Sequence, residues 1–443
     1  MKGILSPLFF MSTPDIKNES LVELQELAEI NPSRKIFVAD IDQLVPYVGL
    51  PETENLEIQN VLYRPYREVK GRNIIYPGDI LFARIEPSIF NKKYIFVERL
   101  HGVSQALTST EFYILKAKQG VHPKFLFYIL FSDFVFKQVA GKTTGSTGRR
   151  RLDKGAFSKL LIPKLSMLNQ EKIAALMDAA HATKKAKEAE AKKLLASIDE
   201  YVLSEVGIVL PEINPRTCFT VKVSEIEGSR IDALYYQTNF RYFIDVFNKS
   251  KYQFKPLGLF IEKINYGASV KNIYTDNGIP FLRIQNLQPN SITLKGIIKL
   301  PVSMKNDIGN GFVEAGDFLI SRSGSIGTVA IVPKQADGFA FGSFMIRFKL
   351  SEIVCHPFIC IWLNSKIPQL FLSQEKIGAI QGNITINTIK SIPIPILPLK
   401  AQQKIAAEVQ SRMDRAQALK REAAEILEKA KKEIEDIILG KNK

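Results

Sequence analysis

The distribution of apolar and polar positions predicts two long helices. Residues 169–206 and 401–439 contain neither Pro nor Gly, and each run is followed by a glycine, Gly207 or Gly440. A glycine directly after the last helical residue is a common C-terminal signal. At 1.5 Å per residue each helix would span about 55 Å, which exceeds the width of a domain of ordinary size.

Within both predicted helices, apolar residues recur at three- and four-residue spacing along one face. This spacing, with small and charged residues at mid-length, predicts that the two helices pack closely together as a coiled coil. The predicted seam residues are Ile173, Met177, Leu194, Ile198, Ile405, Val409, Leu419, Ile426 and Ile437. Further apolar residues beside the seam widen the stripe, and we expect them to hold an additional partner. The alternative is two unrelated surface helices that each cover their own domain.

The rest of the chain has the pattern of mixed α/β domains. Short apolar runs rich in β-branched and aromatic residues predict strands at 34–38, 79–85, 112–115, 281–284, 318–321, 329–332 and 344–350. Helical patterns follow two His-Pro pairs, at 123–138 and 357–373.

The sequence is also duplicated. Three blocks recur in the same order roughly half a chain later: 78–84 as 316–322, 122–125 as 356–359, and 170–174 as 402–406. A repeat of this length indicates two whole domains with a pseudo-two-fold relationship, because solenoid repeats are much shorter. The expected segments are a first globular domain (1–165), a first long helix (166–208), a second globular domain (209–398) and a second, C-terminal long helix (399–443).

Charge suggests the kind of partner. The chain has 60 Lys and Arg against 45 Asp and Glu, a formal charge of +15. An excess of this size favours nucleic acid, although a basic protein can also simply be soluble. Cys218, Cys355 and Cys360 form no CxxC pair and the four His are far apart in sequence, so neither a zinc site nor a disulfide framework is expected. No run approaches the length of a membrane span, and we expect a cytoplasmic protein.

Motifs for catalysis are not evident. Gly141-Lys142-Thr143 resembles the end of a phosphate-binding loop, but Phe136 stands where that loop requires its first glycine. Asn31-Pro32 and Asn214-Pro215 are each followed by a residue other than proline, unlike the catalytic motif of adenine methyltransferases. We therefore expect no catalytic or metal site and no cofactor bound by this chain.

Several loops carry side chains suited to DNA. Basic residues suit phosphates, while Arg, Asn and Gln can read base edges. The candidate contacts are Arg84, Lys142, Arg149, Arg150, Arg151, Tyr266, Ser269, Lys271, Asn272, Arg283, Gln285, Asn286, Arg322, Ser323 and Ser325. Each cluster alone is also typical of a solvated loop, and their joint presence in a duplicated basic chain favours DNA.

Over essentially its full length the chain resembles the specificity (S) subunits of type I restriction-modification systems. The resemblance rests on the 316–327 segment Gly-Asp-Phe-Leu-Ile-Ser-Arg-Ser-Gly-Ser-Ile-Gly, the His-Pro helix, the Ile-Pro-Ile-Pro run before Gln402, and Tyr266-Gly267 with 278–283. The first domain departs from the pattern: residues 84–88 replace the Ser-Gly-Ser-Ile-Gly turn, and no Tyr-Gly segment precedes them.

The resemblance implies a non-catalytic subunit with two target recognition domains, each reading one half of a bipartite double-stranded DNA target. The two long helices would pack antiparallel and fix the spacer between the halves. Their outer faces would bind two methyltransferase (modification) subunits that hold S-adenosylmethionine, and a translocating restriction subunit is a further partner. Three alternatives are open: the recognition subunit of another phage-defence system, a coiled-coil scaffold that does not bind DNA, and an enzyme that uses residues 141–143.

Overall fold

The computed structural model describes residues 21–438, apart from residues 55, 92, 140, 146–149, 211–217, 219, 224–245, 247–249, 271–272 and 375–381. The chain divides into two compact units. The first comprises Met1–Glu188 with Lys420–Lys443, and the second comprises Ala189–Leu419. Each unit therefore contains one mixed α/β globular part and a segment of each long helix.

The elements of the first globular part are short. Its strands are Leu21–Glu23, Ala28–Ile30, Leu44–Val48, Thr53–Glu54, Glu57–Ile58, Leu62–Pro65, Asn73–Ile75, Ile80–Ala83, Tyr94–Phe96, Ala106–Thr108, Phe112–Ala117, Thr143–Thr144, Arg151–Leu152 and Leu161–Pro163. Its helices are Leu24–Leu27, Tyr66–Val69, Glu86–Phe90, Pro123–Leu130, Asp133–Val139 and Lys154–Ser158.

The second globular part has a closely similar set. Its described strands are Phe254–Pro256, Ile261–Tyr266, Ile279–Leu282, Leu287–Gln288, Ser291–Ile292, Ile298–Leu300, Phe318–Ser321, Val329–Ile331, Ala340–Phe341, Met345–Leu350 and Pro393–Pro395. Its described α-helices are Lys305–Ile308, His356–Asn364, Lys366–Gln374 and Ile386–Ser391, and 3-10 turns include Leu257–Phe260 and Ile284–Asn286.

The main sheet has the same antiparallel order in both units. In the first unit the order is Ala28–Ile30, Phe112–Ala117, Ile80–Ala83, Tyr94–Phe96. In the second unit it is Ile261–Tyr266, Met345–Leu350, Phe318–Ser321, Val329–Ile331. This shared topology is the structural counterpart of the duplicated sequence blocks.

Two smaller features also repeat. A parallel strand pair occurs in each unit, formed by Ala106–Thr108 with Leu44–Val48 and by Ala340–Phe341 with Ile279–Leu282. An antiparallel pair closes each globular part, formed by Leu21–Glu23 with Leu161–Pro163 and by Phe254–Pro256 with Pro393–Pro395. The closing pair brings the first described strand of each globular part beside the strand that leads into a long helix.

A buried glutamine near the start of each long helix ties the helix to its globular part. In the first unit, Gln170 Oε1 accepts a hydrogen bond from His122 N at 2.8 Å and Gln170 Nε2 donates to Leu165 O at 2.9 Å. Gln402 Oε1 accepts from Cys355 N at 2.9 Å, and its Nε2 donates to Leu397 O at 2.9 Å. In both units the amide that donates to the glutamine belongs to the N-cap residue of a helix.

The two predicted long helices are confirmed as Met167–Val206 and Leu399–Ile438, each 40 residues long. Gly207, at φ +76°, ends the first one, as its lack of a Cβ allows. In the first unit, Ile173 shares an apolar core with Ile437, and Lys187 Nζ lies 2.5 Å from Glu422 Oε2. The beginning of one helix therefore meets the end of the other, so the two helix segments of this unit are antiparallel.

All nine predicted seam residues lie in apolar contacts. Six are buried, namely Ile173, Met177, Ile405, Val409, Leu419 and Ile437. Leu194, Ile198 and Ile426 are partly buried against the same clusters. In the second unit, Arg412 Nη1 donates to Ser197 O at 3.1 Å and its guanidinium lies 4.5 Å from the Tyr201 ring centroid, so this charged position also joins the two helices.

We expected the apolar residues beside the seam to hold an additional partner, but most of them are covered within their own unit. Val202 and Ile434 are buried, and Leu176, Met413, Leu427 and Ile438 pack against the cores of their own units. Leu195, by contrast, is 37% exposed. Most of the widened stripe thus serves intramolecular packing, because each globular part rests on the helices.

Two predictions of secondary structure need correction. Residues 34–38 alternate in exposure but form no strand in the described chain, and Phe37 is 91% exposed. Each helix predicted after a His-Pro pair is broken, at residues 131–132 and at Ser365. Among the described helices, none is long and apolar enough to cross a membrane.

Candidate nucleic-acid interface

Arg84 and Arg322 follow equivalent central strands of the two main sheets, Ile80–Ala83 and Phe318–Ser321. The Arg84 guanidinium lies 5.0 Å from the Tyr113 ring centroid, and that of Arg322 lies 4.7 Å from the Tyr266 ring centroid. Within the described residues, the Nε atoms of both arginines are buried without a hydrogen-bond partner. A buried unpaired donor costs about 1–3 kcal/mol, so both arginines are held at a cost to stability.

The stacking tyrosine comes from a different strand in each unit. Phe112 pairs with Ala83 and Met345 pairs with Ser321, so Tyr113 and Ile346 are equivalent positions. Tyr266 pairs directly with Ile346 from the neighbouring strand. The two units therefore reach the same arginine–tyrosine arrangement with rings from adjacent strands. This explains how the first domain retains the arrangement without a Tyr-Gly segment.

Backbone hydrogen bonds join three loops around Arg322. Arg322 N donates to Phe344 O at 2.9 Å, and Ser343 N donates to Ala268 O at 2.9 Å. A Cβ at Gly267 would lie 2.3 Å from Gly342 O, so glycine permits this close approach.

The joined loops present a mixed surface. Tyr266, Ser269, Ser325 and Phe344 are exposed there. Phe344, 55% exposed, was not among the predicted contacts. Its only signal in the sequence is an aromatic residue beside Gly342 and Ser343, two residues typical of turns.

The loop from Arg283 to Asn286 divides into accessible and internal residues. Gln285 is exposed, and Arg283 is partly buried with Nη2 donating to Gly296 O at 3.4 Å. Asn286 is 1% exposed; its Oδ1 accepts from Arg283 N at 3.0 Å and its Nδ2 donates to Thr293 O at 3.1 Å. Ser323 is 3% exposed. Burial argues against the direct DNA contacts predicted for Asn286 and Ser323, which instead shape the loops.

The predicted basic cluster of the first unit is partly neutralised. Arg151 donates to both carboxylate oxygens of Glu111, at 3.1 and 2.6 Å, and this hydrogen bonding raises the pKa of Arg151. Arg150 Nε lies 3.6 Å from Glu86 Oε2, and Arg150 Nη2 donates to Thr143 O at 2.8 Å. These two arginines therefore brace the segment beside Arg84.

Of the other predicted DNA contacts, one is exposed and three lie outside the described residues. Lys142 is exposed after the helix Asp133–Val139, and Phe136 lies inside that helix, so residues 141–143 do not form a phosphate-binding loop. Arg149, Lys271 and Asn272 lie outside the described residues. Within the described part of the chain, no three His, Cys, Asp or Glu side chains are grouped to hold a metal ion.

Comparison with known proteins identifies the domain that carries Arg283 and Arg322. Residues 249–429 match the family model of the type I restriction modification DNA specificity domain. Residues 249–429 are thus similar to a type I DNA specificity domain. The resemblance stated from sequence motifs is thereby confirmed. The domain contains Tyr266, the loop 283–286 and the first part of the second long helix.

One curated relative is also described as a type I specificity subunit. The chain is 25% identical over 177 residues to a putative type I restriction enzyme MjaX specificity subunit of Methanocaldococcus jannaschii. That match covers 39% of this chain and 41% of the relative, so it spans less than half of either protein.

Similarity to solved structures extends over almost the whole chain. A chain from a structure of complex assembly and conformational transition in a type I R-M system has a TM-score of 0.56 at 20% identity, covering 95% of this chain and 96% of that one. A second solved chain, the HsdS subunit of Thermoanaerobacter tengcongensis, gives a TM-score of 0.40 at 17% identity over 95% of this chain and 96% of its own. The first of these shows that the fold is one found in type I restriction-modification systems.

Proposed function

We propose that the chain is a DNA sequence-specificity subunit that reads a bipartite target and directs a methyltransferase and restriction complex to it. The observation that carries the proposal is the repeated arginine–tyrosine pair at the same strand end of two similar units, one of which resembles a type I specificity domain. Two similar recognition surfaces in one chain suit a target with two half-sites.

The surface formed by the joined loops of the second unit supports DNA as the ligand. Arg322, Gln285, Ser269 and Ser325 combine a cation with small polar groups on loops joined by backbone hydrogen bonds. Such groups serve phosphates and base edges alike. The formal charge of +15 adds a general attraction to the phosphate backbone.

The long helices have a distinct role in this proposal. Each is an uninterrupted run of 40 residues, and half-site spacing is a geometric property of a DNA-binding protein. The helix pair fixes the unread spacer between the half-sites and binds two methyltransferase subunits. S-adenosylmethionine binds to those subunits, a restriction subunit joins the same complex, and the complex acts in the cytoplasm.

A binding experiment separates this function from that of a scaffold. The chain is co-expressed with its cognate methyltransferase subunit, and the target is located by mapping methylated adenine in the host DNA. Affinity of the purified complex is then measured for a duplex containing that target and for a scrambled duplex, at several salt concentrations. We expect preference for the target by about 10³-fold or more and a steep loss of affinity with salt. Equal affinity for both duplexes, or no new methylation from a soluble complex, would contradict the proposal.

A further inference from the structure

We infer that Arg322 and Arg84 each read a guanine, one in each half of the target, and that Tyr266 and Tyr113 are the residues that position them. The inference rests on the proposed function and specifies its chemistry. An arginine fork donates two hydrogen bonds to O6 and N7 of guanine in the major groove, a pair of acceptors that no other base presents.

The first argument concerns the partners of the arginines. Arg150 and Arg151 are engaged by Glu86 and Glu111, whereas Arg84 and Arg322 have no ion pair among the described residues. Their guanidinium groups nevertheless have defined positions, because each is stacked on a tyrosine ring. Each is therefore a fixed cation whose charge is not neutralised by a described carboxylate.

The second argument distinguishes a base from a phosphate. A phosphate can also be bound by a mobile surface lysine, which acts as a point charge, and the chain has many lysines. Burying the Nε of an arginine without a partner carries a cost that a contact with phosphate alone does not require. A guanidinium held in one position over a ring offsets that cost when its two hydrogen bonds must reach two atoms of one base.

The third argument is the repetition. The two arginines occupy equivalent strand ends, but their tyrosines come from different strands, Phe112–Ala117 and Ile261–Tyr266. The arrangement is thus retained while the residues that create it differ. A requirement for a fixed arginine explains this better than the packing needs of either sheet.

The test uses the complex with the methyltransferase subunit and a library of randomised duplexes, sequenced before and after selection. Arg322→Lys retains the charge and removes the planar fork. We expect the preference for guanine at one position of one half-site to fall roughly 5- to 150-fold, with the other positions unchanged. Arg84→Lys has the same effect at one guanine of the other half-site. Arg67→Lys, at an exposed arginine paired with Asp42, is the matched control and leaves every preference unchanged.

The positioning role is tested at Tyr266, which is 41% exposed, so its replacement leaves the core intact. Tyr266→Phe retains the ring and the guanine preference, whereas Tyr266→Leu reduces that preference without changing the thermal midpoint. A uniform loss of affinity for all sequences in Arg322→Lys would assign the arginine to a phosphate and overturn the inference. The same holds if no guanine preference changes. If the unaltered complex enriches no sequence at all, the proposed function itself fails, and the inference fails with it.

Discussion

Arg347, on one strand of the second main sheet, forms an ion pair with Asp317, which precedes the neighbouring strand. Arg347 Nη1 lies 3.3 Å from Asp317 Oδ2, and the two side chains are 13% and 1% exposed. In the first unit the equivalent aspartate, Asp79, is also in a buried ion pair, but its partner Arg34 comes from a segment that is not a strand. Asp79 and Asp317 also accept backbone hydrogen bonds from the residues three positions earlier, both at 2.7 Å. The aspartate of the repeated Gly-Asp step thus forms a buried ion pair in both units, at the start of the strand that leads to the candidate arginine.

Removing this carboxylate should strongly destabilise the second unit. Asp317→Ala leaves Arg347 buried without its ionic partner, and breaking one side of a buried pair costs about 3–5 kcal/mol. Trp362 is the one tryptophan of the chain and is fully buried in the core of this unit. Its fluorescence during urea unfolding therefore measures the effect. The control is Glu314→Ala, which removes an exposed pair with Lys349 at 3.5 Å and should cost about 0–1 kcal/mol. Equal shifts in both variants would contradict this account.

The glutamine at the start of the second long helix gives another measurable effect. Gln402→Met keeps the volume of the side chain but leaves Cys355 N and Leu397 O without their hydrogen bonds. We expect a loss of about 1–3 kcal/mol for each unsatisfied buried group, seen as a lower urea midpoint of Trp362 fluorescence. The adjacent Gln403 is exposed, so Gln403→Met should leave the midpoint unchanged. An unaltered midpoint in Gln402→Met would show that the hydrogen bonds contribute nothing.

His181 should make the first unit sensitive to acid. Its ring stacks on Tyr128 at 5.6 Å, and its Nε2 is buried with no partner in the described chain. Burial lowers the pKa of His181, and Lys184 and Lys431 lower it further while Asp178 raises it. The pKa of His181 in the folded chain is thus below the unfolded value of about 6.5. The stability that the neutral ring contributes is complete above pH 6.5, and it decreases as the pH falls from 6.5 toward the folded pKa.

The measurement compares the thermal midpoint at pH 8 and at pH 5.5. The unaltered chain should lose more of its midpoint on acidification than His181→Gln, because glutamine does not titrate. The same loss in both proteins would remove His181 as the cause.

Much of the fold could be predicted from the sequence because its signals are local. Absence of Pro and Gly gave both long helices to within two residues, and the strand at 318–321 was predicted with its observed bounds. Residues 34–38 show the limit of such patterns. Their alternation is that of a strand, but Arg34 pairs with Asp79 and no neighbouring strand joins the segment in the described structure.

The candidate site was harder to predict because it depends on contacts between distant residues. The stacking of Arg84 on Tyr113 requires the register of two strands, which no motif encodes. Arg151 is neutralised by Glu111, 40 residues earlier. Asn286 is of a residue type that can contact a base, but its side chain is hydrogen-bonded within its own loop.

The central claim is that each unit reads one half-site of the target. An exchange of one globular part tests it most directly. Strands Phe254–Pro256 and Pro393–Pro395 pair with each other at the two ends of the second globular part, so residues 254–395 can be replaced by the equivalent segment of a specificity subunit with another target. The hybrid is co-expressed with the methyltransferase subunit, and methylated adenines in the host DNA are mapped. We predict a bipartite motif in which one half changes to that of the donor while the other half and the spacer remain. A motif unchanged in both halves, or changed in both, would contradict the assignment of one half-site to each unit.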